Sequence, residues 1–292
     1  RQAVEEGGGF EMLGRFALLL ALFVLAAACG ADDTVATTTT TAIPPTTGLP
    51  STLSPATTTP PPTTTTLPPD AGLVWARVPD DSEIFGTSGM TAVTAGGPGL
   101  VAVGADVSGD TPAAVVWVSA DGYAWERIPH DEATFGTAGM TSVVAGGPGL
   151  VAVGATLGAD GEPDGIAWVS EDGYDWTRIE DDAFGGLYNQ EIYSVAAGGP
   201  GLVAVGSDNS NLVPTIWVSE DGYDWERLPA DEEVFGGDRN PVMWSVAAGG
   251  PGLVAVGFDN WFVGEMDAIV WVSRDGREWE RVEDRGVLQT PV

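Results

Sequence analysis

The sequence has one cysteine, one histidine and no lysine among its 292 residues. A single cysteine excludes an internal disulfide framework and a zinc site built from cysteines. A single histidine, His130, excludes metal sites made of several histidines. The 11 arginines face 42 acidic residues, and a net charge of −31 argues against nucleic-acid binding, which needs a basic surface. We therefore predict no cofactor, no resident metal and no nucleic-acid partner.

Long apolar runs are also scarce, and the run at residues 16–28 has only 13 residues. A membrane-spanning helix needs about 20, so this run is typical of the core of a secretory signal peptide. Arg15 supplies the positive flank. Met12 is the expected true start, because the three glutamates before it do not suit a signal peptide. Residues 1–29 are therefore predicted to be a signal peptide.

The apolar run ends in Ala26-Ala27-Ala28-Cys29-Gly30, which resembles the lipobox of bacterial lipoproteins. The resemblance implies cleavage before Cys29 and attachment of a lipid to its thiol. The protein would then be secreted and anchored to the outer face of the bacterial cytoplasmic membrane, with the lipid as its only membrane contact. Simple secretion, with Cys29 uninvolved, is the alternative.

Threonine and proline dominate the next segment, where they make up 25 of the 36 residues at 34–69. Such a composition buries too little apolar surface to fold. Proline-rich chain is extended at about 3.1 Å per residue, so the segment is long enough to act as a spacer. We predict a linker over residues 30–70 that carries the following domain away from the cell envelope.

The rest of the chain repeats one unit four times. Ala-Gly-Gly-Pro-Gly-Leu-Val-Ala-Val-Gly occurs at residues 95–104, 145–154, 197–206 and 248–257. Trp-Val-Ser-x-Asp-Gly occurs at residues 117–122, 168–173, 217–222 and 271–276. A period near 50 residues with short apolar runs is typical of the blades of a β-propeller. We predict an all-β fold, with a propeller of four four-stranded blades at residues 71–284 and a tail at 285–292.

Strand positions follow from the apolar segments between glycine-rich turns. In the first repeat, four strands are predicted at Met90–Ala95, Leu100–Gly104, Ala114–Ser119 and about Tyr123–Ile128. One further strand-like segment, Leu73–Val78, precedes the first repeat. Four blades are the simplest interpretation, and additional blades beyond Val292 are the alternative.

Each repeat also holds a segment such as Ser119-Ala120-Asp121-Gly122-Tyr123-Ala124-Trp125, which is similar to the Asp-box (BNR) repeat of sialidases and related propellers. The resemblance covers roughly residues 72–284, although the residue between Asp and Gly of the family pattern is missing. In that family the Ser and Asp bond the turn backbone and the Trp packs between blades. The resemblance implies this structural role for Ser119, Asp121, Trp125, Ser170, Asp172, Trp176, Ser219, Asp221, Trp225, Ser273, Asp275 and Trp279.

Sialidases of that family use three converging arginines, a tyrosine nucleophile with a glutamate partner, and an acidic proton donor. Arg127-Ile128-Pro129 resembles their Arg-Ile-Pro element, but it has equivalents at Arg77, Arg178, Arg227 and Arg281. Residues that repeat on outer strands lie around the rim, so we expect them to pair with carboxylates of that strand. Other glycoside hydrolases need only two carboxylates about 5–9 Å apart. A sialidase-like or other glycoside hydrolase is therefore the alternative function.

Residues that break the repeat on one predicted face are the candidates for binding. Tyr193 and Trp244 stand where the first two repeats have Thr91 and Thr141. Aromatic rings beside acids suit glycans and peptides, although larger rings could instead fill wider gaps between blades. The same face collects 22 of the 42 acidic residues, which would fit a basic protein partner or adaptation to high salt. We predict a binding module for an extracellular ligand, with candidate residues Tyr188, Tyr193, Arg239, Trp244 and Trp261.

Overall fold

A computed structural model of the chain describes residues 77–158, 161–185, 189–208, 213–236, 241–250, 252–259 and 267–282. The predicted signal peptide, the linker and the tail lie outside the described residues. The same holds for the candidate residues Cys29, Tyr188, Arg239 and Trp261. Within the described ranges, no helix has the length and apolar character needed to cross a bilayer.

The described residues form four antiparallel sheets of four strands each. Blade 1 consists of β1 (Ser88–Gly96), β2 (Gly99–Asp106), β3 (Ala113–Ser119) and β4 (Glu126–Arg127). Blade 2 consists of β5 (Ala138–Gly146), β6 (Gly149–Leu157), β7 (Pro163–Ser170) and β8 (Thr177–Ile179). Blade 3 consists of β9 (Gln190–Gly198), β10 (Gly201–Asp208), β11 (Val213–Ser219) and β12 (Glu226–Arg227). Blade 4 consists of β13 (Val242–Gly249), β14 (Gly252–Phe258), β15 (Ala268–Ser273) and β16 (Trp279–Arg281).

Consecutive strands are neighbours in every blade, so each sheet is a simple meander. The inner strands pack side by side in chain order, with β1 against β5, β5 against β9 and β9 against β13. Contacts join residues near the start of each inner strand to residues near the start of the next one, as between Thr91 and Met140. The amino-terminal ends of the inner strands therefore lie together, and we call this region the inner-strand end. The predicted all-β architecture of four four-stranded blades is confirmed.

The core lies between the blades, and the sheets of blades 2 and 3 bury both of their faces. Trp117, Trp168, Trp217 and Trp271 are completely buried on the third strands. The indole of Trp168 donates a hydrogen bond of 2.8 Å to the carbonyl of Thr134, in the segment that leads into β5. The other three make the same kind of bond. Each indole therefore bonds the segment that precedes the inner strand to the third strand of the same blade.

Two local features differ from the prediction. The outermost strand of blade 1 contains only Glu126–Arg127 instead of Tyr123–Ile128, because side chains rather than a strand ladder hold the preceding turn. Short helical turns precede two inner strands, at α1 (Glu132–Phe135) and at a 3-10 turn, Asp182–Phe184. Strand periodicity gives no sign of such turns, since each buries a single phenylalanine.

Candidate functional site

One residue of each inner strand is left out of the strand ladder. The register of β1 against β2 shifts between Met90 and Ala92, so Thr91 forms a β-bulge. The glycine that ends Leu-Val-Ala-Val-Gly explains the bulge, because a Cβ added at Gly104 would lie 1.8 Å from the carbonyl oxygen of Gly89. The corresponding residues of the other inner strands are Thr141, Tyr193 and Trp244. Bulges often redirect a side chain toward a functional surface.

In blades 1 and 2 the bulged residue links two neighbouring blades. The Thr91 hydroxyl donates to the carbonyl of Met140 at 2.7 Å, and the Thr141 hydroxyl donates to that of Ile192 at 2.6 Å. Both acceptors lie on the inner strand of the next blade. The first two bulges are therefore explained by packing alone.

In blades 3 and 4 the bulged residues are aromatic and stack on each other. The ring centroids of Tyr193 and Trp244 are 4.7 Å apart, with 26° between the ring planes. The Phe258 ring is also close, with its centroid 6.0 Å from that of Trp244 and 37° between the ring planes. Tyr193 and Trp244 are both partly exposed. The structure thus brings together two of the five candidate residues in one aromatic stack.

The Tyr193 hydroxyl belongs to a small polar cluster. It donates to a Glu191 carboxylate oxygen at 2.9 Å and lies 2.8 Å from the Ser207 hydroxyl. Burial, together with the negative charge of Glu191, holds the pKa of the Tyr193 hydroxyl far above its ordinary value. The phenol therefore keeps its proton at neutral pH and acts as a hydrogen-bond donor.

The inner-strand end is asymmetric, because the positions beside the bulges are small in two blades and large in the other two. These paired positions are Gly89 with Ala105, Gly139 with Ala155, Glu191 with Ser207, and Val242 with Phe258. Among the described residues, a Cβ added at Gly89 would meet nothing within 4 Å, whereas one at Gly139 would lie 3.5 Å from Ala105 Cβ of the preceding blade. Beside Gly89, the Ser88 hydroxyl is buried and has no hydrogen-bond partner among the described residues. The aromatic contacts beside the bulges therefore belong to blades 3 and 4.

The repeated Ser and Asp residues bond the turn between the third and fourth strands. Asp172 Oδ1 accepts hydrogen bonds from the backbone of Tyr174 at 2.8 Å and Asp175 at 3.0 Å, while Ser170 Oγ accepts one from Gly173 N at 2.8 Å. These backbone donors hold the pKa of Asp172 below its ordinary value. The equivalent aspartates, at 121, 221 and 275, bond their turns in the same way.

The repeated tryptophan of each such turn closes it from within. The Trp176 indole donates to the carbonyl of Gly173 at 2.9 Å, and Trp225 does the same with Gly222. Trp176, Trp225 and Trp279 are buried, whereas Trp125 is partly exposed. These side chains are used within turns and between blades, away from the aromatic stack.

The arginines of the outer strands are held separately, one on each blade. Arg127 pairs with Asp106 at 2.6 Å, Arg227 pairs with Asp208, and Arg281 lies 3.9 Å from Asp259. The expectation of partners on the same strand is wrong for these three, whose carboxylates lie at or just after the end of the second strand. Neighbours along a strand point to opposite faces, so a glutamate beside each arginine cannot reach it. Arg178 differs, bonding Glu180 at 3.0 Å and the Thr156 hydroxyl at 2.9 Å.

Several acids of the predicted ligand face serve the backbone instead. Asp131 caps helix α1 by accepting from Thr134 N at 3.1 Å, and Asp181 accepts from Ala183 N at 2.8 Å. An aspartate just before a short helix is a common N-cap, so this signal was present in the sequence. In the described ranges, no group of three or more His, Cys, Asp or Glu side chains is placed to hold a metal ion.

Comparison with known proteins gives likeness of structure without likeness of sequence. No family model and no curated protein sequence matches the chain. A thermostable family-43 glycoside hydrolase matches with a TM-score of 0.42 and 11% identity, over 71% of this chain and 76% of its own. A glycosyl hydrolase from Bacteroides ovatus gives 0.41 and 12%, over 67% and 68%. Fructan 1-exohydrolase IIa from Cichorium intybus gives 0.39 and 13%, over 69% and 45%.

The fold is a β-propeller. The four meandering blades carry this statement by themselves. The sequence singled out Tyr193 and Trp244. It counted Glu191 only among the acidic residues of the same face and did not indicate Ser207. The signal that could have found them is the glycine at the end of Leu-Val-Ala-Val-Gly, which requires a bulge and so sets the register of the inner strands.

Proposed function

We propose that the propeller binds a carbohydrate at the inner-strand end. The observation that carries the proposal is the stack of Tyr193 on Trp244, placed on bulges of adjacent blades. Aromatic rings bury the apolar faces of sugars at a low entropy cost. The Glu191 carboxylate beside the rings supplies an acceptor for sugar hydroxyls, which matches the usual composition of small-molecule sites.

A glycan array followed by calorimetry on the best ligand tests this proposal. Trp244→Ala should weaken binding by about 1–3 kcal/mol, which is roughly 5- to 150-fold, as expected for an aromatic anchor. Tyr193→Phe should weaken it less, because the ring remains and only the hydroxyl is lost. Tyr123→Ala is the matched control, since Tyr123 is exposed on an outer turn.

The alternative role for the two rings is packing between blades 3 and 4. In that case Trp244→Ala would lower the melting temperature while affinity per folded molecule stayed at the wild-type value. Unchanged affinity in Trp244→Ala would therefore overturn the proposal, whereas an equal loss in Tyr123→Ala would place the ligand elsewhere.

Hydrolysis of the bound glycan is a second candidate function, favoured by the hydrogen bond between Tyr193 and Glu191. A tyrosine nucleophile with a glutamate partner is what the resemblance to sialidases implies. Glu191 would take the phenol proton as the Tyr193 oxygen attacks the anomeric carbon, and the glycosidic C–O bond would break with the leaving oxygen taking a proton from solvent. Water would then cleave the glycosyl–tyrosine bond and return the proton to the phenol oxygen. The four outer-strand arginines are held on separate blades, which favours a neutral sugar over a sialic acid.

Turnover assays on neutral and sialylated oligosaccharides separate catalysis from binding alone. For an enzyme, Glu191→Gln and Tyr193→Phe should both abolish product formation while binding remains measurable. Ser207→Ala is the control, because it removes a hydroxyl from the same cluster without removing either reacting group. Absence of turnover in the wild type would eliminate the hydrolase candidate and leave carbohydrate binding in place.

We also propose that the turns at Ser119, Ser170, Ser219 and Ser273 are Asp-box turns and that the protein is displayed on a bacterial surface. The supports are the side-chain bonds within those turns and the lipobox-like segment at Cys29. The linker at residues 30–70 would hold the propeller clear of the envelope. The ligand would then be an extracellular glycan.

A further inference from the structure

The three interfaces between neighbouring blades are built from the same two sheet faces. We call the face that packs on the preceding blade the leading face, and the opposite one the trailing face. In blade 2 the leading face carries Met140, Val143 and Leu150, and the trailing face carries Val151 and Val153. All five side chains are buried. Each interface therefore joins one trailing face to one leading face.

A leucine and a turn from the leading face fit against two glycines of the preceding blade. Leu150 Cδ2 lies only 2.8 Å from the position that a Cβ at Gly96 would take. The carbonyl oxygen of Asp172 lies 2.6 Å from the corresponding position at Gly97. The same fit joins blade 2 to blade 3 and blade 3 to blade 4. The Gly-Gly pair of each repeat is thus a socket for the next blade.

Blades 1 and 4 each present one of these faces without a covering blade. On the leading face of blade 1, Met90 is 43% and Val93 is 59% exposed, whereas the equivalent Met140 is 1% exposed. On the trailing face of blade 4, Val256 is 44% exposed, whereas the equivalent Val205 is completely buried. Among the described residues, the two free faces are the two halves of the repeated interface.

The Gly-Gly pair of blade 4, Gly249 and Gly250, is likewise uncovered by the described residues. A Cβ added at Gly249 would meet none of the described residues within 4 Å, although its equivalents at 96, 146 and 198 each meet a leucine of the next blade. A Cβ at Gly250 would meet only Val254, at 3.9 Å and in its own blade. Leu100, the leucine that blade 1 offers, is partly exposed, while Leu150, its equivalent in blade 2, is fully buried.

We propose that the trailing face of blade 4 docks the leading face of blade 1 of a second copy of this chain. Leu100 of one copy would lie against Gly249 of the other, as Leu150 lies against Gly96 within the chain. The contact would continue an interface that the chain already forms three times. Because the two faces differ, the contact is head-to-tail and builds either a closed ring or a longer assembly.

Charge should govern the strength of this association. The docking surfaces are apolar, but each copy carries a net charge of −31. Added salt screens the repulsion between copies and also strengthens apolar burial. Self-association should therefore increase as the salt concentration rises.

Sedimentation velocity over a wide concentration range, at low and high salt, tests the proposal on the full chain. Every sample carries Cys29→Ser, so that neither a lipid nor a disulfide can join two molecules. Val93→Glu and Val256→Glu should each raise the dissociation constant at least about tenfold. Val107→Glu is the matched control, because it adds the same charge at an exposed site that is 63% accessible and lies just after β2.

Mixing the two face variants provides a sharper criterion. Val93→Glu keeps an intact trailing face and Val256→Glu keeps an intact leading face, so the mixture should form a heterodimer that neither variant forms alone. Gly249→Val should weaken association without adding charge, and it should fold because none of the described residues lies within 4 Å of the added Cβ. A wild type that stays monomeric throughout, or face variants that associate like the control, would overturn the proposal.

Discussion

Removal of one repeated aspartate is the perturbation whose effect on stability follows most directly from the structure. Asp172→Ala deletes the acceptor of two backbone hydrogen bonds, from Tyr174 at 2.8 Å and Asp175 at 3.0 Å. A net hydrogen bond contributes about 0.5–1.5 kcal/mol, so two bonds contribute about 1–3 kcal/mol to the free energy of unfolding. For a domain of this size, the melting temperature should fall by about 2–12 °C.

Chemical denaturation of the wild type, Asp172→Ala and Asp172→Asn measures this effect. The asparagine variant should lose less stability, because its side-chain oxygen still accepts from both amides. Asp175→Ala is the matched control, since Asp175 is an exposed carboxylate of the same turn whose side chain takes no part in these bonds. Ligand affinity per folded molecule should not change in any of the three variants.

The stability that Asp172 contributes should also depend on pH. Because the pKa of Asp172 is lower in the folded state than in the unfolded chain, its contribution is present above the unfolded pKa of about 3.9. This contribution to the free energy of unfolding is lost as the pH falls through the lower pKa that Asp172 has in the folded state. The stability difference between wild type and Asp172→Ala should therefore shrink below about pH 4. A difference that is absent at neutral pH, or that grows in acid, would refute the reasoning.

Three further predictions concern the anchor, the bulges and the buried indoles. Cys29→Ser should move the protein from the membrane fraction to the medium, and a mutant that stays membrane-bound in cell fractionation would contradict the lipoprotein proposal. Gly154→Ala should destabilise the fold by about 3 kcal/mol or more in thermal denaturation, because the new Cβ would lie 1.9 Å from the carbonyl oxygen of Gly139. Gly249→Ala, with open space around it, should change stability by less than about 1 kcal/mol. Trp168→Phe should cost about 1–3 kcal/mol, since it leaves the partly buried carbonyl of Thr134 without its indole donor, and equal unfolding free energies would contradict this role.

The repeats allowed most of the fold to be predicted, because glycine-rich turns separate the strands and recur at a constant period. The inner strand predicted at Met90–Ala95 forms over Ser88–Gly96, and the second strand, predicted at Leu100–Gly104, forms over Gly99–Asp106. The short outer strands were not predictable from apolar alternation. Their turns are held by side chains such as Asp121 rather than by a ladder.

The candidate site was predicted only in part. Tyr193 and Trp244 stood out because they replace threonines of the other repeats, and the structure places their rings 4.7 Å apart. Glu191 did not stand out, because its side chain reaches the Tyr193 hydroxyl only as a result of the β-bulge at Tyr193, where β9 shifts its register against β10. A one-residue shift in strand register reverses the face of every side chain, so a bulge that is not foreseen hides such neighbours.

A crystal structure of the protein with the best ligand from the glycan array tests the central claim most directly. The account predicts a sugar ring stacked on Trp244 at the inner-strand end, with its hydroxyls within hydrogen-bond distance of Glu191. A sugar bound at the outer turns, or bound with Trp244 covered by protein and out of contact, would contradict it.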